Sequence, residues 1–249
     1  MKLSFHLYIL ALGFSCWLTA CSKDKGAAPF SAAPAVYFVY RSNASMDSLT
    51  YTFVEKASTV TFDTVWLPVR IAGNATANDR NITLSTVTAT TTATEGVHYK
   101  LLPYRMPKDS LQTRLGVVLL RDASLRDKQV ELTLTLVPSA DFPALMKESV
   151  MADGVYYSRN KVRILFSDKL IKPANWESNL VSNFGAYSEV KFRFMAGVLG
   201  RSTFPTSGTG ALKFFDLQFF QTTVRNALVV YNAANGPLID ENGQPVVFP

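Results

Sequence analysis

Val130-Glu131-Leu132-Thr133-Leu134-Thr135-Leu136 decides the fold. Apolar residues alternate with glutamate and threonine, so one face of the segment is greasy and the other polar, which is the period-two signature of a half-buried strand. Val65, Leu67, Val69 and Ile71 repeat the pattern, and Pro68 inside that run points to an edge strand or a bulge. Val36, Phe38 and Tyr40, then Tyr51 and Phe53, Ile82 and Leu84, Leu115, Val117 and Leu119, and Val162, Ile164 and Phe166 complete the set. Thr86 to Thr94 adds a threonine-rich stretch suited to a sheet, and Gly73-Asn74, Glu95-Gly96 and Pro138-Ser139 lie between runs as turns. Seven or eight such strands within about 130 residues predict an antiparallel β-sandwich of immunoglobulin-like type over residues 36–168.

The period changes after Ser167-Asp168. Tyr187 to Leu199 spaces Val190, Phe194 and Val198 as a helix does, with Ser188 placed to cap it. Ala211 to Ala234 is a longer helical stretch in which Leu212, Phe215 and Phe219 share a face. Residues 169–249 therefore read as a small helical C-terminal part, and the chain as mostly β with α. Phe214, Phe215, Leu217, Phe219 and Phe220 crowd one short segment. So wide an apolar face predicts that the helices pack on the sandwich and unfold with it.

Composition narrows the class. The 249 residues are 48% hydrophobic and 18% charged, which excludes a disordered tail protein and a multi-span membrane protein. The net charge of +6 is dispersed, without the clustering a nucleic-acid partner needs.

The N-terminus reads as an address. Lys2 precedes an apolar stretch from Leu7 to Leu18 that is too short to span a bilayer, and Leu18-Thr19-Ala20-Cys21 has the order of a bacterial lipobox. Residues 1–20 are thus predicted to be a lipoprotein signal peptide, with Cys21 the lipidation site. Residues 21–35, rich in Ala, Ser, Gly and Pro, read as a lipidated flexible tether. The membrane partner is reached through the lipid on Cys21. The location this implies is the outer membrane, with the periplasmic and exterior leaflets both open. Cys16 and Cys21 are the only cysteines, so nothing beyond residue 21 forms a disulfide or a thiolate metal site.

Catalytic motifs are sparse. His98 is the only imidazole beyond the signal, and any Ser-His-Asp triad has to use it; the expectation is a packed strand histidine. Ser188 and Lys191 have the spacing of a Ser-x-x-Lys nucleophile, but the supporting motifs are missing and Ser188 reads as a helix cap. The residues give no catalytic group, no metal site and no cofactor. Trp66, Trp176, Tyr104, Tyr156 and Tyr157 are the aromatics available for stacking on sugars, and Tyr156, Tyr157 and Trp176 are the ligand-binding candidates. Asp47-Ser48-Leu49, Asp63-Thr64-Val65 and Asp109-Ser110-Leu111 match the acceptor pattern for O-glycosylation of exported Bacteroidetes proteins.

Several stretches together carry a family resemblance. They are the lipobox, Ala93-Thr94-Glu95-Gly96-Val97-His98-Tyr99, Val162 to Asp168 ahead of Pro173 and Trp176, Gly185-Ala186-Tyr187-Ser188-Glu189, and Asp240-Glu241-Asn242-Gly243 near the end. In these the chain resembles a Bacteroidetes outer-membrane lipoprotein family, domain of unknown function four-eight-four-three. The resemblance implies an envelope lipoprotein found beside glycan-uptake systems, and implies no chemistry. Ala93 to Leu136 is also similar to the β motif of sodium–calcium exchangers, whose acidic calcium-binding clusters are missing here. The functional expectation is a non-catalytic accessory protein that binds glycan or a protein partner in an outer-membrane nutrient-uptake complex. A glycosidase-like hydrolase using a carboxylate pair is the alternative, and a purely structural subunit is a third reading.

Overall fold

The computed structural model describes residues 32–39, 48–146, 148–150 and 156–249. Cys21, the signal segment and most of the tether lie outside them.

The β part consists, among the described residues, of β1 (Ala35–Phe38), β2 (Ser48–Thr52), β3 (Phe62–Ala72), β4 (Arg80–Thr86), β5 (Tyr99–Leu101), β6 (Tyr104–Met106), β7 (Gln112–Leu120), β8 (Val130–Val137), β9 (Ala144–Leu145), β10 (Glu148–Val150), β11 (Tyr156–Ser158) and β12 (Lys161–Ser167). Two five-stranded sheets result, one in the order β5-β7-β3-β1-β9 and the other β2-β12-β8-β4-β6, with β10 and β11 as a separate pair. The alternation seen in the sequence sets the faces. Leu67, Val69, Leu115 and Val117 of the first sheet meet Leu132, Leu134, Ile164 and Phe166 of the second in one buried core. Each fully buried side chain of this size contributes about 1.5–3 kcal/mol.

Two expectations need correction. The sheets are mixed rather than purely antiparallel, since β1 runs parallel to β9 and β2 parallel to β12. Pro68 marks neither an edge nor a bulge, because β3 lies between β7 and β1. Within a strand the N–H and C=O of one residue point to the same side. The Pro68 carbonyl accepts from Val39 on the β1 side. The missing N–H falls opposite Val39, just beyond Phe38, the last β1 residue paired with β3, so it forfeits a single reciprocal bond where that pairing stops.

The C-terminal part begins with a π-helical turn, Trp176–Leu180, that continues into α1 (Val181–Phe184). Helix α2 (Glu189–Leu199) starts where Ser188 accepts a bond from the Lys191 N–H, and it stops at Gly200 in the left-handed conformation. Helix α3 spans Phe214–Asn235. The apolar faces of α2 and α3 do not extend the core between the sheets. They close a second one around Trp176, Phe184, Phe204, Val246 and Phe248. The face that seemed to need the sandwich is covered by side chains from irregular segments of its own half. Phe214, Phe215 and Phe219 remain exposed on α3. Among the described residues no helix is long and apolar enough to cross a membrane.

Candidate functional site

The two halves of the folded part meet through polar groups. Asp168, the residue after β12, is 1% exposed. Its carboxylate accepts two bonds from Arg121, at 3.0 and 2.9 Å, and one from Arg193 of α2 at 2.8 Å. Arg126 stands 3.8 Å away. Arg121 also donates to the carbonyls of Ala57 and Val60, which ties the turn before β3 to the same acid. Glu55 adds a second clasp by accepting from the N–H and hydroxyl of Ser202.

Gly197 allows the closest approach of the halves: a Cβ there would lie 3.1 Å from the Lys56 carbonyl oxygen. Beside it runs a groove of about 590 Å³. Ala57, Ser58 and Thr59 face Val190, Phe194 and Tyr231 across it, and Arg126, Arg193 and Glu189 supply charge. Phe194 and Tyr231 stack edge to face with ring centroids 5.7 Å apart.

A second surface lies on the outer face of the first sheet. Leu67, Val69 and Ile71 point inward, so Trp66, Pro68 and Arg70 point outward by alternation. Trp66 is 55% exposed and pairs across the ladder with Gly116. The six-membered ring of its indole rests on that glycine, where a Cβ would be 3.0 Å from the nearest ring carbon. The Arg114 guanidinium stands 5.6 Å from the ring centroid.

The proposed ligand-binding residues fare differently. Trp176 has no exposed surface; it packs against Tyr187 and Phe192 and donates its indole N–H to the Gly185 carbonyl. It is a core residue and not a stacking platform, because the second core needed a large ring at its centre. The backbone of Tyr156 and Tyr157 forms β11, and their side chains lie outside the described residues. Tyr104 is buried, its hydroxyl donating to the Gly116 carbonyl. Trp66, weighed only as one aromatic among several, faces solvent, unlike Trp176 and Tyr104. Its place on the polar side of β3 was the available signal.

The geometry around His98 does not build a nucleophile. The Thr94 N–H donates to Nδ1 at 2.9 Å, so Nδ1 is an acceptor and Nε2 carries the proton. Nε2 then donates to Ser124 Oγ at 3.0 Å, and Ser124 donates to Asp122 at 2.6 Å. The serine hydroxyl thus donates its hydrogen bond to the carboxylate, whereas a triad requires it to donate to the imidazole. Ser188 caps α2, and Lys191 is buried with its ammonium donating to the Ala186 carbonyl. Among the described residues no three His, Cys, Asp or Glu side chains gather as metal ligands would.

Burial holds the His98 imidazole below its ordinary pKa, with Asp122 opposing the shift and Lys128 reinforcing it. The unfolded chain therefore binds the proton more tightly. Stability from the neutral ring is complete above about 6.5 and is lost as pH falls from there through the folded value. The melting temperature is expected to drop between about pH 7 and pH 5, and less steeply in His98→Gln. Equal slopes in the two proteins would show that another group carries the effect.

The model of the family described as "Domain of unknown function (DUF4843)" matches residues 30–201. The chain belongs to that family. The match takes in both sheets and α2 and ends before α3, so the Trp66 face lies wholly inside it while Tyr231 of the groove does not. No curated protein matches the chain. It is similar to a structural-genomics protein of unknown function from Bacteroides ovatus, at 17% identity and a TM-score of 0.34, over 53% of this chain. The chain spans 45% of that protein's length.

Proposed function

We propose that this chain is a lipid-anchored accessory protein of the outer membrane that binds glycan without converting it, as a component of a nutrient-uptake system. The observation that carries the proposal is the solvent-facing Trp66 seated on Gly116 in the middle of a sheet. Exposing so large a ring costs hydrophobic free energy unless something covers it in use, and the C–H face of a pyranose packs well on such a ring. The scaffold is of immunoglobulin-like type. Support comes from the strand orders β1-β3-β7-β5 and β12-β8-β4, which follow the ABED and GFC orders of that sandwich. A hydrolase would need two free carboxylates. Glu189 is the one carboxylate lining the groove, and it faces Arg193 at 3.5 Å.

Residues 33–249, run through gels containing a panel of neutral and anionic polysaccharides, are expected to be retarded by at least one of them. Trp66→Ala is expected to weaken that binding by about tenfold or more, equivalent to about 1.4 kcal/mol, with the melting temperature unchanged. Equal binding by the variant would remove the platform, and no retardation by any polysaccharide would remove the glycan proposal. The anchor is tested separately. Cys21→Ala is expected to abolish lipidation and leave the full-length protein unprocessed or mislocalised, since Cys21 is the residue that the lipobox supplies for acylation. Unchanged membrane fractionation, with no acyl mass at residue 21 of the wild type, would overturn the lipoprotein assignment.

A further inference from the structure

We propose that the Trp66 face selects anionic glycans, with Arg70 and Arg114 as the pair of guanidinium groups that receives a carboxylate or sulfate on the sugar. The proposal rests on the glycan reading above and goes further by naming the ligand's charge. On the ladder Trp66 is opposite Gly116, Pro68 is opposite Arg114, and Arg70 is opposite Gln112. Arg70 and Arg114 are therefore diagonal neighbours on one face, an arrangement that generally places such positions about 7–8 Å apart. Both are exposed, and among the described residues neither forms an ion pair with a carboxylate. Arg70 donates to the Gln112 side-chain oxygen at 3.2 Å, and Arg114 stands over Trp66. Like charges on neighbouring positions of one face repel each other, an anion received between them relieves that repulsion, and a guanidinium fork matches carboxylate and sulfate geometry.

The shape of the surface agrees. A depression of about 430 Å³ contains Pro68, Arg70 and Arg114, and a second of about 540 Å³ contains Tyr37, Arg70 and Ser110. They share Arg70 and Gln112, so the two depressions adjoin along β3, and Arg114 of the first is the residue that stands over Trp66. Asp109 is the acid that lines them, in the second depression, and it makes no ion pair with Arg70. One sugar face would lie on the indole while the acidic substituent of that ring or the next lies between the two arginines.

The experiment uses residues 33–249 with three probes: polygalacturonate for carboxylates, dextran sulfate for sulfate esters, and plain dextran as the neutral chain. The wild type is expected to bind at least one anionic probe about tenfold more tightly than dextran. The Arg70→Gln, Arg114→Gln double variant is expected to lose that preference and keep its melting temperature. An Arg105→Gln, Arg225→Gln double variant, which removes the same charge elsewhere, is expected to retain it. The preferred polyanion tells carboxylate from sulfate. Equal loss in both double variants would mean that net charge attracts polyanions, and this would overturn the proposal. Tight binding of dextran without preference would overturn it while leaving glycan binding intact. Absence of binding to all three probes would overturn it too, and if the wider panel also failed, glycan binding would fall with it.

Discussion

Asp168→Asn is expected to destabilise the folded part by about 3–5 kcal/mol and to lower its melting temperature by roughly 10 °C or more. The carboxylate is buried and holds Arg121 and Arg193, whose side chains are only 10% and 17% exposed. Removing its charge leaves two guanidinium groups facing each other in a poorly solvated pocket, which is far worse than the loss of one exposed ion pair. The substitution also loosens the turn at Ala57 to Val60, which Arg121 holds by its carbonyls. Thermal and urea unfolding measure the loss. Adding Arg193→Met is expected to recover part of it, because the unpaired cation is then gone. If Asp168→Asn melts with the wild type, the arginines find solvent or other acceptors and the cluster is not what joins the halves.

What the sequence made legible follows from periodicity. The β part was readable because Leu132, Leu134 and Leu136 must all point the same way in a strand, and they all lie in the core of the β part. The end of the last strand at Ser167 was readable because the period changed there. Ser188 was readable as a cap because a hydroxyl before a helical run has a specific bond to make, and it makes it. Asp240-Glu241-Asn242-Gly243 was recognised only as a motif. Its role is structural: Glu241 accepts from the Glu189 and Val190 N–H groups at the start of α2, and these bonds hold its carboxyl below the usual range against the opposing effect of burial.

The partner of an apolar helix face is not written in the face itself. Phe194 and Leu217 demand cover, but Trp176, Phe204 and Phe248 sit in segments without regular period, so nothing in the spacing announced that they would supply it. Gly197 carried a signal that went unused. A glycine inside a helix costs about 1 kcal/mol against alanine, and here it marks the place where another backbone comes within reach of the helix. The exposed ring was legible in the same way, since Trp66 falls on the polar phase of a strand whose other phase is Val65, Leu67 and Val69. The pairing of Arg70 with Arg114 was not, because it depends on the register between β3 and β7.

Trp176→Ala is expected to separate the unfolding of the two halves. Emptying the centre of the second core removes a fully buried indole, its contacts with Tyr187, Phe184 and Phe192, and its bond to the Gly185 carbonyl. A deletion of this size costs about 3–5 kcal/mol. None of the cluster around Trp176 belongs to the core of the β part, so the loss falls on the helical half alone. The variant also provides its own reporter. In residues 33–249 the tryptophans are Trp66 and Trp176, so Trp66 fluorescence then follows the sheet, while far-UV circular dichroism follows the helices. The helical signal is expected to disappear at lower denaturant than the Trp66 signal, whereas the wild type is expected to unfold in a single step through the Asp168 and Glu55 clasps. If the two signals still move together, the polar junction couples the halves more strongly than the second core holds itself, and the folded part behaves as one cooperative unit despite its two cores.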